Sequence, residues 1–149
     1  MSRPDRGFTL VELLVVISVI AILAALVTPM VFRNVGDAKR SAAKAQLEIF
    51  ELALDAYRLD NDYYPTTAQG LTALVQRPSG ANPPVHWRGP YLKREVPLDP
   101  WGRAYQYRSP AQGGVIDTYD LESLGRDGNV GGTGEDADIS LAQPGRSGP

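Results

Sequence analysis

At 149 residues the chain has room for one domain with a modest core. Its 15 basic and 17 acidic residues leave a formal charge of -2, which excludes the strongly basic balance of a nucleic-acid binder. With no cysteine, disulfides and thiolate metal sites are excluded as well.

Residues 8–32 read FTLVELLVVISVIAILAALVTPMVF, an apolar run of about 25 residues with a single charge. A bilayer core takes roughly 20 residues of helix, so this run can span one. A cleavable secretory signal has an apolar region of only about 7–15 residues, which this run exceeds. A plain signal anchor accounts for the length but leaves Glu12 unexplained. An ionised carboxylate at mid-membrane costs about 2.5–3.5 kcal/mol, and such groups are normally paired. No cation lies within a helical turn of Glu12 or in the apolar run that follows it, so its natural partner lies outside the chain. Charge does not orient the segment. Arg3 and Arg6 against Asp5 precede it, whereas Arg33, Lys39 and Arg40 against Asp37 follow, which leans weakly against a cytoplasmic N-terminus.

Beyond Phe32 the sequence becomes amphipathic and stays rich in helix formers. Leu47, Phe50, Leu54 and Tyr57 recur at three- and four-residue steps, which places them on one face and predicts core contact with the chain's own domain. Lys44, Glu48, Glu51, Asp55 and Arg58 occupy the other faces. Pro29 and Gly36 are the weak points of a helix that would run from about residue 8 to 60 and reach about 80 Å.

The segment Asn61-Asp62-Tyr63-Tyr64-Pro65 ends that helix, since a residue before proline avoids the helical region. Residues 66–75 read as a short second helix with a threonine cap, and residues 77–84 as a loop. Alternation over 101–109 and 115–123, separated by 110–114, predicts an antiparallel hairpin; a third strand is expected at 91–96. Trp87 and Trp101 sit beside glycine and proline and read as packing anchors for loops.

From Asp127 to Asp138 the chain reads DGNVGGTGEDAD, with four acids crowded among glycines. Charge runs are usually solvated turns. Calcium, however, takes six to eight oxygens from carboxylates and carbonyls, and glycines let backbone fold tightly enough to present them. Asp127, Asn129, Gly132 and Asp138 fall at positions 1, 3, 6 and 12 of an EF-hand count, but Gly131 stands at position 5 and no helix pair flanks the loop. It is not an EF-hand, and the residues alone leave a solvated turn and a cation site both open. Gly131-Gly132-Thr133-Gly134 lacks the lysine and the strand-to-helix context of a phosphate loop. His86, the sole histidine, has no nucleophile arranged with it. No set of nucleophile, base and oxyanion donors emerges, so no enzymatic activity is expected.

Gly7-Phe8-Thr9-Leu10-Val11-Glu12 followed by the apolar run resembles the prepilin signal of the type IV pilin-like superfamily. YYPTTAQGLTALVQRP, GPYLKREVPLDPWGRAYQYRSP and YDLESLGRDGNVGGTGEDADI resemble, more specifically, the G-type major pseudopilins of type II secretion systems. The resemblance covers residues 7–139, nearly the whole chain. It implies an α+β fold: a long N-terminal helix, transmembrane then amphipathic, packed on a small antiparallel sheet with a C-terminal calcium loop. It divides the chain into a leader (1–7), a transmembrane and assembly helix (8–32), a periplasmic domain (33–140) and a disordered tail (141–149). It implies cleavage after Gly7 by a prepilin peptidase, N-methylation of Phe8, and pairing of Glu12 with the terminal amine of a neighbouring subunit. Loss of the leader would take the formal charge to about -3. The implied calcium ligands are the Leu124 carbonyl, the Asp127 carboxylate, backbone around Gly132, and acids among Glu135, Asp136 and Asp138. Gly134 stands where relatives offer an acid. The ion would serve as the staple that the absent disulfide cannot be.

The implied function is that of a structural subunit: an inner-membrane, single-pass protein with its C-terminal domain in the periplasm, whose copies stack through the helices of residues 8–32, Glu12 guiding register, into a homopolymer, the pseudopilus, that drives export of folded proteins. Minor pseudopilins and an inner-membrane assembly platform would be its partners. The alternative is a major type IV pilin working in adhesion, motility or DNA uptake; those commonly carry a disulfide loop, which a chain without cysteine cannot form. A signal-anchored, calcium-dependent binding or enzymatic domain would leave Gly7, Phe8 and Glu12 unexplained.

Overall fold

The structure, a computed structural model, describes residues 9–80, 83–111 and 117–141, and for 28–33 the backbone alone. The leader, Gly7, Phe8 and the tail beyond Leu141 lie outside the described residues. The chain divides into two compact units, Met1–Asp37 and Ala38–Pro149. One helix, α1 (Leu10–Asn61, 52 residues), contributes to both, and its helical backbone continues through Pro29 and Gly36.

In the first unit Thr9 caps α1 from the position just before it: its Oγ1 accepts the Glu12 N–H at 3.2 Å and so satisfies one of the free donors of the first turn. The stretch Leu10–Val27 is long and apolar enough to cross a membrane, with a mean hydropathy of 3.0 and none of it buried. Its one hydroxyl in mid-span, Ser18 Oγ, donates to the Leu14 carbonyl at 2.7 Å and is thereby satisfied within the helix.

In the second unit, one face of α1 carries Ala43, Leu47, Phe50, Leu54 and Tyr57, all buried. They pack with Leu71 and Leu74 from a 3-10 helix (Leu71–Leu74) and with Tyr105, Tyr119, Leu121 and Ile139 from the sheet region. Phe50 meets Tyr105 edge-on, ring centroids 5.1 Å apart, an arrangement favoured by the ring quadrupoles. The helix ends where expected: Asn61, the last residue of α1, is buried and donates from Nδ2 to the Tyr57 carbonyl at 2.9 Å.

Three short strands form the sheet: β1 (Gln106–Arg108), β2 (Asp120–Ser123) and β3 (Ile139–Ser140), in that order and antiparallel throughout. β1 and β2 are the expected hairpin, paired Gln106 with Glu122 and Arg108 with Asp120; residues 112–116 between them lie outside the described residues. The third strand is not at 91–96. There the Tyr91 and Leu92 N–H groups both donate to the Leu74 carbonyl, at 2.7 and 3.1 Å, so they are committed to the 3-10 helix rather than to a strand partner. Ile139–Ser140 takes the sheet edge instead. Nor is 66–75 one helix. Thr66 does cap, its Oγ1 accepting from Gln69 N–H at 3.3 Å, but Gly70 at φ 59 interrupts and only Leu71–Leu74 is helical. Trp87 and Trp101 both pack on the core, and Trp87 Nε1 anchors its loop to the Ala73 carbonyl at 2.9 Å.

Candidate assembly helix and acidic loop

The site residues fall in two places. Glu12 lies in the first turn of α1, three residues after the capping Thr9. The pattern Thr-x-x-Glu ahead of an apolar run is a capping-box signature, a local role that sequence reasoning could have read beside the assembly role.

Within the second unit α1 presents a second apolar stripe. Ala42, Ala45, Ile49, Leu52, Ala56 and Leu59 recur at alternating three- and four-residue steps, nearly opposite the buried face. None is charged, and Leu52 and Leu59 are 72% and 84% exposed. An apolar line this regular on the solvent side is unusual in a helix already anchored by its other face.

The acidic loop joins β2 to β3 and is folded back on itself. Arg126 N–H donates to the Glu135 carbonyl at 2.9 Å, and Asp138 N–H to the Gly131 carbonyl at 3.2 Å. Glycine is required where the two arms touch. A Cβ on Gly125 would come 2.8 Å from the Glu135 carbonyl oxygen, and one on Gly132 would come 2.4 Å from that of Asp136. Both residues also have positive φ.

The four acids are differently employed. Asp127 caps its own turn, Oδ1 accepting from Asn129 N–H at 3.1 Å. That hydrogen bond, ahead of the others it receives, holds the Asp127 carboxyl below its ordinary range. Asp136 is bound by Arg126, with Nε to Oδ1 at 2.8 Å and Nη2 to Oδ2 at 3.0 Å. Asp138 Oδ2 accepts from Gly131 N–H at 2.8 Å, while its Oδ1 is buried with no hydrogen-bond partner among the described residues. Negative charge accumulates here: Glu122 on β2 is pushed above its ordinary carboxyl range, first by burial and then by Asp138. Glu135 contributes its carbonyl to Arg126 and lies in the 3-10 turn Gly134–Asp136. Gly134, without a side chain to offer, gives its carbonyl to Arg40 of α1, which also reaches the Ala137 carbonyl at 3.3 Å. Among the described residues no three acidic or histidine side chains converge as a metal-holding group. Sequence reasoning did not foresee the arginines, because Arg40 meets carbonyls far along the chain and Arg126 meets Asp136 only once the loop folds back on itself.

Comparison with known proteins settles the family. The family model for type II secretion system protein G matches residues 30–142, and a prokaryotic N-terminal methylation motif matches residues 2–28. The chain belongs to the type II secretion system protein G family. It is similar to the core protein G of Pseudomonas aeruginosa, 46% identical over 137 residues, covering 92% of this chain and 94% of that one. The core protein G of Vibrio cholerae is likewise 46% identical over 137 residues, with 92% and 91% covered. Among solved structures, the major pseudopilin from the type 2 secretion system of enterohaemorrhagic Escherichia coli matches with a TM-score of 0.58 at 42% identity, over 72% of this chain and 89% of that one. The α+β pseudopilin architecture, with its long apolar N-terminal helix and small antiparallel sheet, is therefore the fold of this protein G family member.

Proposed function

We propose that this chain is the major, polymerising subunit of a type II secretion pseudopilus, a structural rather than catalytic protein. The observation that carries the reading is the family match over residues 30–142, joined to a methylation motif at the head of a membrane-length helix. In this reading residues 1–7 are removed after Gly7, Phe8 becomes the methylated N-terminus, and residues 8–32 anchor the chain in the inner membrane. Residues 33–140 then stand in the periplasm, with 141–149 as a tail. Glu12 offers its carboxylate to the terminal amine of the next subunit, which removes the cost of an unpaired charge in the apolar layer. The outer stripe ending in Leu52 and Leu59 supports polymerisation, because a monomer has no use for it. Export of folded proteins would follow from cycles of such assembly, with minor pseudopilins and an inner-membrane platform as partners.

Calcium in the acidic loop belongs to the same reading. The donors are all oxygens, suited to a hard cation, and the buried, unpartnered Asp138 Oδ1 is an acceptor that a cation would satisfy. The Leu124 carbonyl, the Asp127 carboxylate, backbone at Gly132 and Asp138 would hold the ion, with Glu135 beside them. Asp136, already held by Arg126, contributes least. Bound calcium would supply positive charge that ties the β2–β3 connection together. The residues themselves fold the loop and exclude bulk by glycine at 125 and 132.

The test is expression of the full chain with a prepilin peptidase and a secretion assembly platform, followed by mass analysis and cross-linking. The absence of cysteine allows single engineered cysteine pairs to report subunit contacts without background. A mature chain starting at methylated Phe8 and a ladder of cross-linked oligomers is the expected result. A chain that keeps Met1 and remains monomeric would overturn the proposal.

A further inference from the structure

The turn around Asp99 lies far in sequence from the acidic loop yet fixes both sides of its first arm. Asp99 is buried, 4% exposed, an unusual position for a carboxylate. Its Oδ1 accepts from the N–H groups of Trp101 and Arg103, at 3.0 and 2.8 Å, which closes the turn. The turn is closed a second time through the backbone, the Asp99 N–H donating to the Arg103 carbonyl at 2.7 Å. Asp99 Oδ2 then accepts from Ser123 Oγ at 2.7 Å, and Ser123 Oγ in turn accepts from Gly125 N–H at 3.3 Å. Ser123 is fully buried, so this chain of bonds works in a medium where it is strong and where a missing partner is felt.

The same turn reaches the other side of the arm through Arg103. Its Nε and Nη2 donate to the Arg126 carbonyl at 3.3 and 3.0 Å. Its guanidinium lies where a side chain at 128 would otherwise be: a Cβ on Gly128 would sit 2.3 Å from Nη1. Leu124 therefore lies between the anchored Ser123 and Gly125, and Asp127 between the anchored Arg126 and the Gly128 contact. These are the two residues of the arm that the calcium reading asks to supply oxygens.

We propose that Asp99, Ser123 and Arg103 are positioning residues for the acidic loop, setting the Leu124 carbonyl and the Asp127 carboxylate in place for a hard divalent cation before it arrives. This rests on the calcium reading above. Groups that orient ligands without touching the ion typically govern affinity by 10- to 100-fold. The alternative role is ordinary fold support, which would lower stability with and without the ion alike.

The two roles separate in the full-length chain, purified in detergent and titrated with calcium chloride by calorimetry, with melts in calcium and in chelator. Ser123→Ala and Arg103→Ala are each expected to weaken calcium binding by about ten-fold. For Arg103→Ala the melting temperature in chelator is expected to fall far less than that in calcium, whereas Ser123→Ala, which leaves Asp99 Oδ2 buried without that donor, lowers both. Arg103→Ala also carries a sign test. Removing a cation beside Asp127 would by electrostatics alone tighten calcium binding. Weaker binding can therefore come only from lost placement. Unchanged or tighter binding in Arg103→Ala, an exposed site whose change leaves the core intact, would overturn the inference while leaving the calcium reading standing. A parent chain that takes up no calcium would overturn both. Equal losses of stability in calcium and in chelator, with unaltered affinity, would assign the residues to fold support.

Discussion

Arg126 grips Asp136 by two parallel contacts, Nε to Oδ1 at 2.8 Å and Nη2 to Oδ2 at 3.0 Å, the fork geometry in which guanidinium and carboxylate fit best. The pair folds one arm of the acidic loop against the other and gives Asp136 a partner that is already positive. Asp138, eleven residues past Asp127, has no such partner at Oδ1. The acids of the loop are thus unequal before any ion is considered.

That inequality predicts a ranking. Asp127→Ala and Asp138→Ala should each raise the calcium dissociation constant by about ten-fold or more, whereas Asp136→Asn should change it by less than about three-fold. Calorimetric titration of the full chain in detergent measures all three. A loss in Asp136→Asn matching that of the other two would show that the ion displaces Arg126.

The carboxyls also predict a pH dependence in chelator. Glu122 has a folded pKa raised above 4.5, so its ionised form is disfavoured by folding. Its unfavourable contribution is present above the folded pKa and fades as pH falls towards 4.5. Asp127 is the opposite case: its folded pKa lies below 3.8, and the stability it contributes above 3.8 is lost as pH falls through the folded value. Glu122→Gln should therefore melt about 1–3 °C above the parent chain at pH 7, a small gain because the side chain is only partly buried. The gap should close by about pH 4, where the parent Glu122 is itself protonated. A gap that persists there would mean that the gain comes from packing rather than charge.

The core contact between Phe50 and Tyr105 should be costly to remove. Phe50 is fully buried and meets Tyr105 edge-on at 5.1 Å. Phe50→Ala is expected to destabilise the second unit by about 3–5 kcal/mol, through lost transfer energy and the cavity left behind. Denaturant melts followed by tyrosine and tryptophan fluorescence read this directly, and a loss below about 1 kcal/mol would show that the site collapses around the cavity.

The outer stripe of α1 should matter only to assembly. Leu52→Glu combined with Leu59→Glu replaces side chains that are 72% and 84% exposed. Their effect on the stability of the isolated chain should stay within about 0.5 kcal/mol per site. The cross-linked oligomer ladder should nevertheless be largely lost, since charges would then face another apolar surface. An unaffected ladder would remove the stripe from the subunit contact.

Glu12→Ala separates anchoring from polymerisation. The remaining apolar run is still long enough to span, so the chain should fractionate with membranes as before. The oligomer ladder should disappear, because the terminal amine of the next subunit loses its counter-charge. Membrane loss alongside it would assign Glu12 to insertion instead.

Much of this protein was legible in its sequence, and for local reasons. The apolar run, described from Thr9 and helical from Leu10, and the three- and four-residue steps of Leu47, Phe50, Leu54 and Tyr57 are signals carried by neighbouring residues, and both appear in α1. The family was equally legible in contiguous strings such as PLDPWG and SLGRDG. Tertiary structure decided what depends on distant partners. It placed the third strand at Ile139–Ser140 rather than 91–96, because Leu74 already takes the N–H groups of Tyr91 and Leu92. It shortened the helix at 66–75 to Leu71–Leu74, where Gly70 turns the backbone. It buried Asp99 against Ser123, committed Asp136 to Arg126, and gave the Gly134 carbonyl to Arg40. Such pairings have no period along the chain, since loop residues far apart meet only once the helix and the sheet have brought their segments together.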